Sequence, residues 1–196
     1  MRIDHVIYAT RDLDRAAAMI EEQLGLSAVA GGRHEGLGTH NMIVPLGNGY
    51  LELLAVCDEE EAARSAFGSA LKARTDELGD GLMGWAVAVD DVQPEAERLG
   101  TWVTPIAREG LTAQLTGLLE SLREPFLPFF IARDPEVRDP GRGADTGAGG
   151  ITWIEVVGDA QRLTRWLRGA ELPVRITQGP PAVVAVGVGD RELRMR

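Results

Sequence analysis

Three histidines and one glutamate near the start of the chain are of the types that proton transfer or metal ligation needs. They are His5 in RIDHVIYA, His34 in GGRHEG, His40 in THNMIVPL and Glu52 in YLELLAV. Histidine changes charge closest to neutral pH, and a carboxylate beside it supplies a base or a ligand. Alternation along an extended run puts Ile3, His5 and Ile7 on one face and Asp4, Val6 and Tyr8 on the other. In YLELLAV it groups Tyr50, Glu52, Leu54 and Val56. Flanked by Leu51 and Leu53, Glu52 is expected to be at least partly buried, with His5 or a metal as its complement. With His40 facing inward, His5, His40 and Glu52 make the two-histidine, one-carboxylate set of non-haem iron sites. Spacing alone does not fix that facing. Three readings stand: a metal site, a metal-free acid–base pair, and a histidine serving the structure only. His34, in a Gly-rich turn, reads as a solvated loop histidine, and Cys57 as a buried free thiol.

These residues depend on a repeated frame. HVIYATRDLDRAAAMIEEQL, GWAVAVDDVQPEAERL and TWIEVVGDAQRLTRWL each read as a strand, an Asp-bearing turn and an amphipathic helix, and they align on Asp12, Asp91 and Asp159. Further strands follow each helix; in the first unit THNMIVPL and YLELLAV flank Gly47-Asn48-Gly49, a hairpin signal. After the second helix LTAQLTGLL reads as a strand. The unit is β-α-β-β-β: residues 1–57, residues 82–133, and a shorter third repeat over 150–196. One connecting helix is expected over 58–81, and DPEVRDPGRGADTGAGG reads as a mobile surface loop. The fold class is α+β, with curved, mostly antiparallel sheets in a single domain.

Composition narrows the partners. Of 196 residues, 30 are Asp or Glu and 20 are Lys or Arg, a net charge of −10 with no basic run, so nucleic acid is set aside. No apolar stretch is long enough to span a membrane, and charges at Arg2, Asp4, Arg11 and Asp12 exclude a secretory leader. A single cysteine fits a reducing compartment, so a cytoplasmic protein is expected.

The segments DHVIYATRDLDRA, GRHEGLGTHNMIVPLGNGYLELLAV, GWAVAVDD and EPFLPFFIARDPEVRDPG resemble the vicinal oxygen chelate superfamily, in particular its glyoxalase-like branch. The superfamily includes glyoxalase I, extradiol dioxygenases and bleomycin-resistance proteins. The resemblance implies two βαβββ modules whose sheets form a cleft that often holds a divalent metal (Fe, Mn, Ni or Zn). Its ligand positions fall on His5 and Glu52 in the first module. In the second they fall on Gly84 and at or near Ala132, neither of which has a donor side chain, so the four-ligand site is half missing. Gly84, Ala86 and Ala88 alternate on the expected cleft face and leave room for an organic ligand. Phe126, Phe129 and Phe130 supply aromatic surface; Phe130, with Gly84 and Ala86, is assigned to ligand contact, and sheet-to-helix packing is the alternative. The expected protein binds a small organic molecule over His5, His40 and Glu52, as a lyase, isomerase or dioxygenase. The alternative is a non-catalytic, ligand-sequestering protein. A monomer and a homodimer fit equally.

Overall fold

The computed structural model describes residues 1–108, 111–134, 136–137, 139–142 and 147–195. The first unit runs β1 (Arg2–Ala9), α1 (Leu13–Leu24), β2 (Val29–His34), β3 (Thr39–Pro45) and β4 (Tyr50–Val56). Asp12 accepts a hydrogen bond from the Arg15 N–H at the start of α1, and Gly25 ends the helix in the left-handed region. Two helices follow, α2 (Glu59–Ala63) and α3 (Ala66–Leu78), where one was expected. The chain breaks between them because Ser65 caps a new helix through the Gly68 N–H.

The second unit runs β5 (Gly81–Ala88), α4 (Gln93–Leu99), β6 (Thr104–Arg108), β7 (Leu111–Thr116), α5 (Leu118–Arg123) and β8 (Phe129–Arg133). The strand expected over LTAQLTGLL stops at Thr116: Gly117, at φ 75°, turns the chain into α5. In both units the first strand pairs in parallel with the last. The units join antiparallel through β1 and β5, giving one curled eight-stranded sheet, β2-β3-β4-β1-β5-β8-β7-β6.

The register at that junction is symmetric. Val6 pairs with Trp85, His5 with Ala86, and Ile7 with Gly84. The Asp12/Asp91 alignment makes Trp85 the counterpart of Val6, so a pseudo-twofold axis passes through this pair. Each first strand also carries one extra residue at the same place, Asp4 in β1 and Met83 in β5. Such a bulge resets the alternation. Ile3 consequently lies in the outer core with Val6 and Tyr8 rather than beside His5 and Ile7.

The last unit, β9 (Ile151–Val157), α6 (Ala160–Trp166), β10 (Val174–Thr177), β11 (Ala182–Val188) and β12 (Arg191–Arg194), has a different order, β10-β9-β11-β12. Its first strand lies between β10 and β11, away from its last, so it does not repeat the module pairing. Its apolar side, including Ile154, Val156, Val186 and Trp166, joins α1 against the outer face of the large sheet. The inner face carries a second core: Leu71 of α3 is fully buried against it, with Phe67 and Leu118 of α5 packed alongside. Glu155 pairs with Arg194, remote from that inner face. The loop expected to be mobile lies partly outside the described residues; in its described part Gly141 accepts from the Gly47 N–H of the β3–β4 turn. Cys57 is exposed rather than buried, because it follows the last residue of β4.

Candidate functional site

The inner face narrows to a cavity of about 50 Å³ where β1, β4 and β8 meet α3 and α5. Glu52 sits on its wall, 8% exposed, and three polar side chains surround its carboxylate. His5 Nε2 lies 3.5 Å from Oε2, and His34 Nε2 lies 3.7 Å from Oε1. The Asn41 amide donates to Oε1 at 2.5 Å. The Gly32 N–H fixes the other end of that amide by donating to Asn41 Oδ1.

Behind His5 a charged chain runs away from the cavity. His5 Nδ1 is 2.6 Å from Asp4 Oδ1, a contact made possible by the bulge that turns both neighbours inward. Arg133, at the end of β8, donates to both oxygens of Asp4 and to the Tyr50 hydroxyl. Burial disfavours a charged Asp4, but hydrogen bonds from Arg133 and His5 outweigh it and hold its carboxyl far below the usual aspartate range. Burial, aided by the Asp4 and Glu52 charges, pushes the Tyr50 hydroxyl well above its ordinary value, so it stays neutral. The His5 ring is stacked on Tyr50, centroids 4.6 Å apart, and meets the Phe129 edge at 5.4 Å. Ala86 lies between His5 and Phe129 in the ladder, and its small side chain allows that contact. With Asp4 accepting the Nδ1 proton, the ring is locked in orientation and presents Nε2 to Glu52 and the cavity.

Several sequence assignments change. His40 pairs with Ala55 in the ladder and points away from the face that carries Asn41, so it does not join His5 and Glu52. His34 takes the place expected of His40: it is 5% exposed, with Nδ1 3.0 Å from the Thr39 hydroxyl. Phe130 faces the outer core, stacked with Trp166, and the cavity-side ring is Phe129. Gly84 borders open space, since a Cβ there would touch nothing. Ile7 pairs with Glu52 as Ala86 pairs with Phe129. The pseudo-twofold counterpart of Glu52 is therefore Phe129, not Ala132. Asp4, Asn41, Tyr50 and Arg133 were not singled out from sequence; the bulge at Asp4 leaves no mark in the residue pattern.

The donors do not fit a chelated metal. Two of the four family positions are Gly84 and Phe129, and the two histidines address different oxygens of Glu52 rather than a common point. No three His, Cys, Asp or Glu side chains converge for a metal among the described residues.

A model of the glyoxalase-like domain matches residues 3–171, most of the chain. The chain belongs to the glyoxalase-like domain family. It is thereby a member of the vicinal oxygen chelate superfamily. No curated protein matches it in sequence. A hypothetical protein from Staphylococcus aureus is similar in fold, with a TM-score of 0.65, 19% identity and coverage of 91% of this chain and 86% of that one. Methylmalonyl-CoA epimerase from Mycobacterium tuberculosis gives 0.50 at 19% identity, covering 68% and 87%. A Streptomyces coelicolor methylmalonyl-CoA epimerase variant in complex with 2-nitronate-propionyl-CoA gives 0.51 at 20%, covering 70% and 97%. At these identities the likeness shows a shared fold alone. No helix of the described residues is long and apolar enough to cross a membrane.

Proposed function

We propose that the protein binds a small carbonyl compound in the inner cavity and moves a proton at the carbon next to the carbonyl, as an isomerase or lyase does. The observation that carries this is the line Asp4–His5–Glu52, a carboxylate-oriented imidazole beside a second carboxylate at an apolar cavity. Glu52 takes the α-proton while His5, protonated and held by Asp4, gives its Nε2 proton to the carbonyl oxygen, forming an enol. Return of that proton from Glu52 to the carbon, with the enol hydrogen passing back to His5, completes the transfer and returns both groups to their starting states. Asn41 keeps Glu52 in place, and Arg133 holds the charge on Asp4. Metal ligation by His5 and Glu52, and dioxygenase chemistry with it, has less support because the second module's two ligand positions are Gly84 and Phe129, neither with a donor side chain. Cytoplasmic residence, argued from the lone cysteine, belongs to the same proposal.

The test is exchange of α-hydrogens of small ketones in D2O, followed by proton NMR with wild type and Glu52→Gln. Wild type is expected to accelerate exchange, with a loss of 10²–10⁴-fold in the variant, the usual worth of a positioned base. Undiminished exchange in the variant sinks the assignment. Near-stoichiometric metal that disappears in Glu52→Gln would restore the metal reading. The apolar lining also favours a second reading, sequestration of a ligand. Tight binding without exchange, equal in both proteins, would establish it.

A further inference from the structure

We infer that the cavity admits neutral, compact carbonyl compounds of about four non-hydrogen atoms and rejects carboxylates and acyl-CoA thioesters. This names the substrate class of the reading above and rests on it. Size is the first argument. A water needs roughly 10–15 Å³ of such space, and a cavity of about 150 Å³ holds benzene, so a cavity of about 50 Å³ has room for roughly four waters, or one ketone of about four non-hydrogen atoms. The rest of the inner face is already occupied: Phe67 and Leu71 of α3 and Leu118 of α5 pack into it.

Charge is the second argument. Among the described residues no lysine or arginine lines the cavity, while Glu52 does. Arg133 does not line the cavity: its guanidinium is paired with Asp4 and donates to the Tyr50 hydroxyl. An anionic ligand would add an uncompensated charge, because Asp4 and Glu52 already balance Arg133 and the protonated His5, in a chain whose net charge is −10. The wider groove by Arg2, Arg133 and Arg168 offers no alternative seat, because Asp90, Asp91, Glu95, Asp134 and Asp139 line it too.

Three histidines make the test direct: His5 and His34 line the cavity, and His40 faces away. Their imidazole NMR signals are followed while the whole protein is titrated with acetone, acetate and propionyl-CoA. Acetone is expected to shift His5 and His34 saturably and leave His40 unmoved. Acetate should bind at least tenfold more weakly, and propionyl-CoA should shift neither cavity histidine. In Phe67→Ala, the larger cyclohexanone should gain at least tenfold in affinity. Equal or tighter binding of either anion at His5 and His34, shifts spread equally to His40, or no acetone binding overturns the inference. Ketone binding without α-exchange sinks only the proton-transfer reading. Exchange together with a preference for anions sinks only the substrate class.

Discussion

Asp4 is held charged in the core by two neighbours, and a buried carboxylate of that kind couples stability to pH. Its folded value lies below the ordinary 3.8 that it regains on unfolding. The stabilisation is therefore fully present above about pH 4 and is lost as pH falls from there through the lowered folded value. Denaturant titrations should show stability dropping with acid across that range, a slope that Asp4→Asn abolishes. The single variant should also cost about 3–5 kcal/mol, because it leaves Arg133 buried and unpaired. Asp4→Asn with Arg133→Met should recover part of that loss; a double variant no more stable than the single would show that the pair is not what holds this corner. His5 and Glu52 announce themselves in the sequence, since alternation in strongly apolar strands fixes their facing. His34 and His40 do not. A register irregularity in β2 and the glycine turn between β2 and β3 exchange their expected roles.

At the scale of elements, the edge hairpin β2–β3 clamps Glu52, the proposed base, through Asn41. A Cβ on Gly31 would come within 1.9 Å of Asn41 Oδ1 and 2.8 Å of the Asn41 carbonyl oxygen. Gly31→Ala must therefore displace the side chain that holds Glu52, although neither residue changes. Any α-exchange activity should fall with Glu52→Gln as the lower limit, while melting temperature drops by only a few degrees; unchanged exchange would mean that Asn41 does not position the base. On the opposite wall, Leu71→Ala should cost about 2–5 kcal/mol, read by urea unfolding, because α3 has no other fully buried large side chain on the inner face. Helix α1 and the hairpin at Gly47-Asn48-Gly49 are plain in the sequence because capping and turn chemistry are local. The break between α2 and α3, and the start of α5 after Gly117, are harder to read: each turns on one residue within a run that would otherwise continue.

Taken whole, the molecule has one large sheet covered on both sides, and the four-stranded sheet shares a core with the outer face of the large one. Unfolding should be a single transition by fluorescence and circular dichroism, and a chain cut before residue 147 should not give a soluble folded product, because Trp85 and Phe130 lose the layer that includes Trp166. Two separate transitions, or a stable truncated chain, would show the last unit to be an independent body. The repeat was legible because its Asp-turn recurs. The strand order of the last unit was not, since pairing partners leave no trace in a single strand. The matched bulges bear on how the molecule can change. Asp4 with His5 in one copy stands where Met83 with Gly84 stands in the other. One half carries the groups proposed to react, and its twin shapes the cavity wall. Ile106, Leu115 and Ile131, all on that second half, can be recast to admit other molecules without touching an atom of the proposed proton-transfer pair. Under the proposed function, selectivity and reactivity are thus separately heritable.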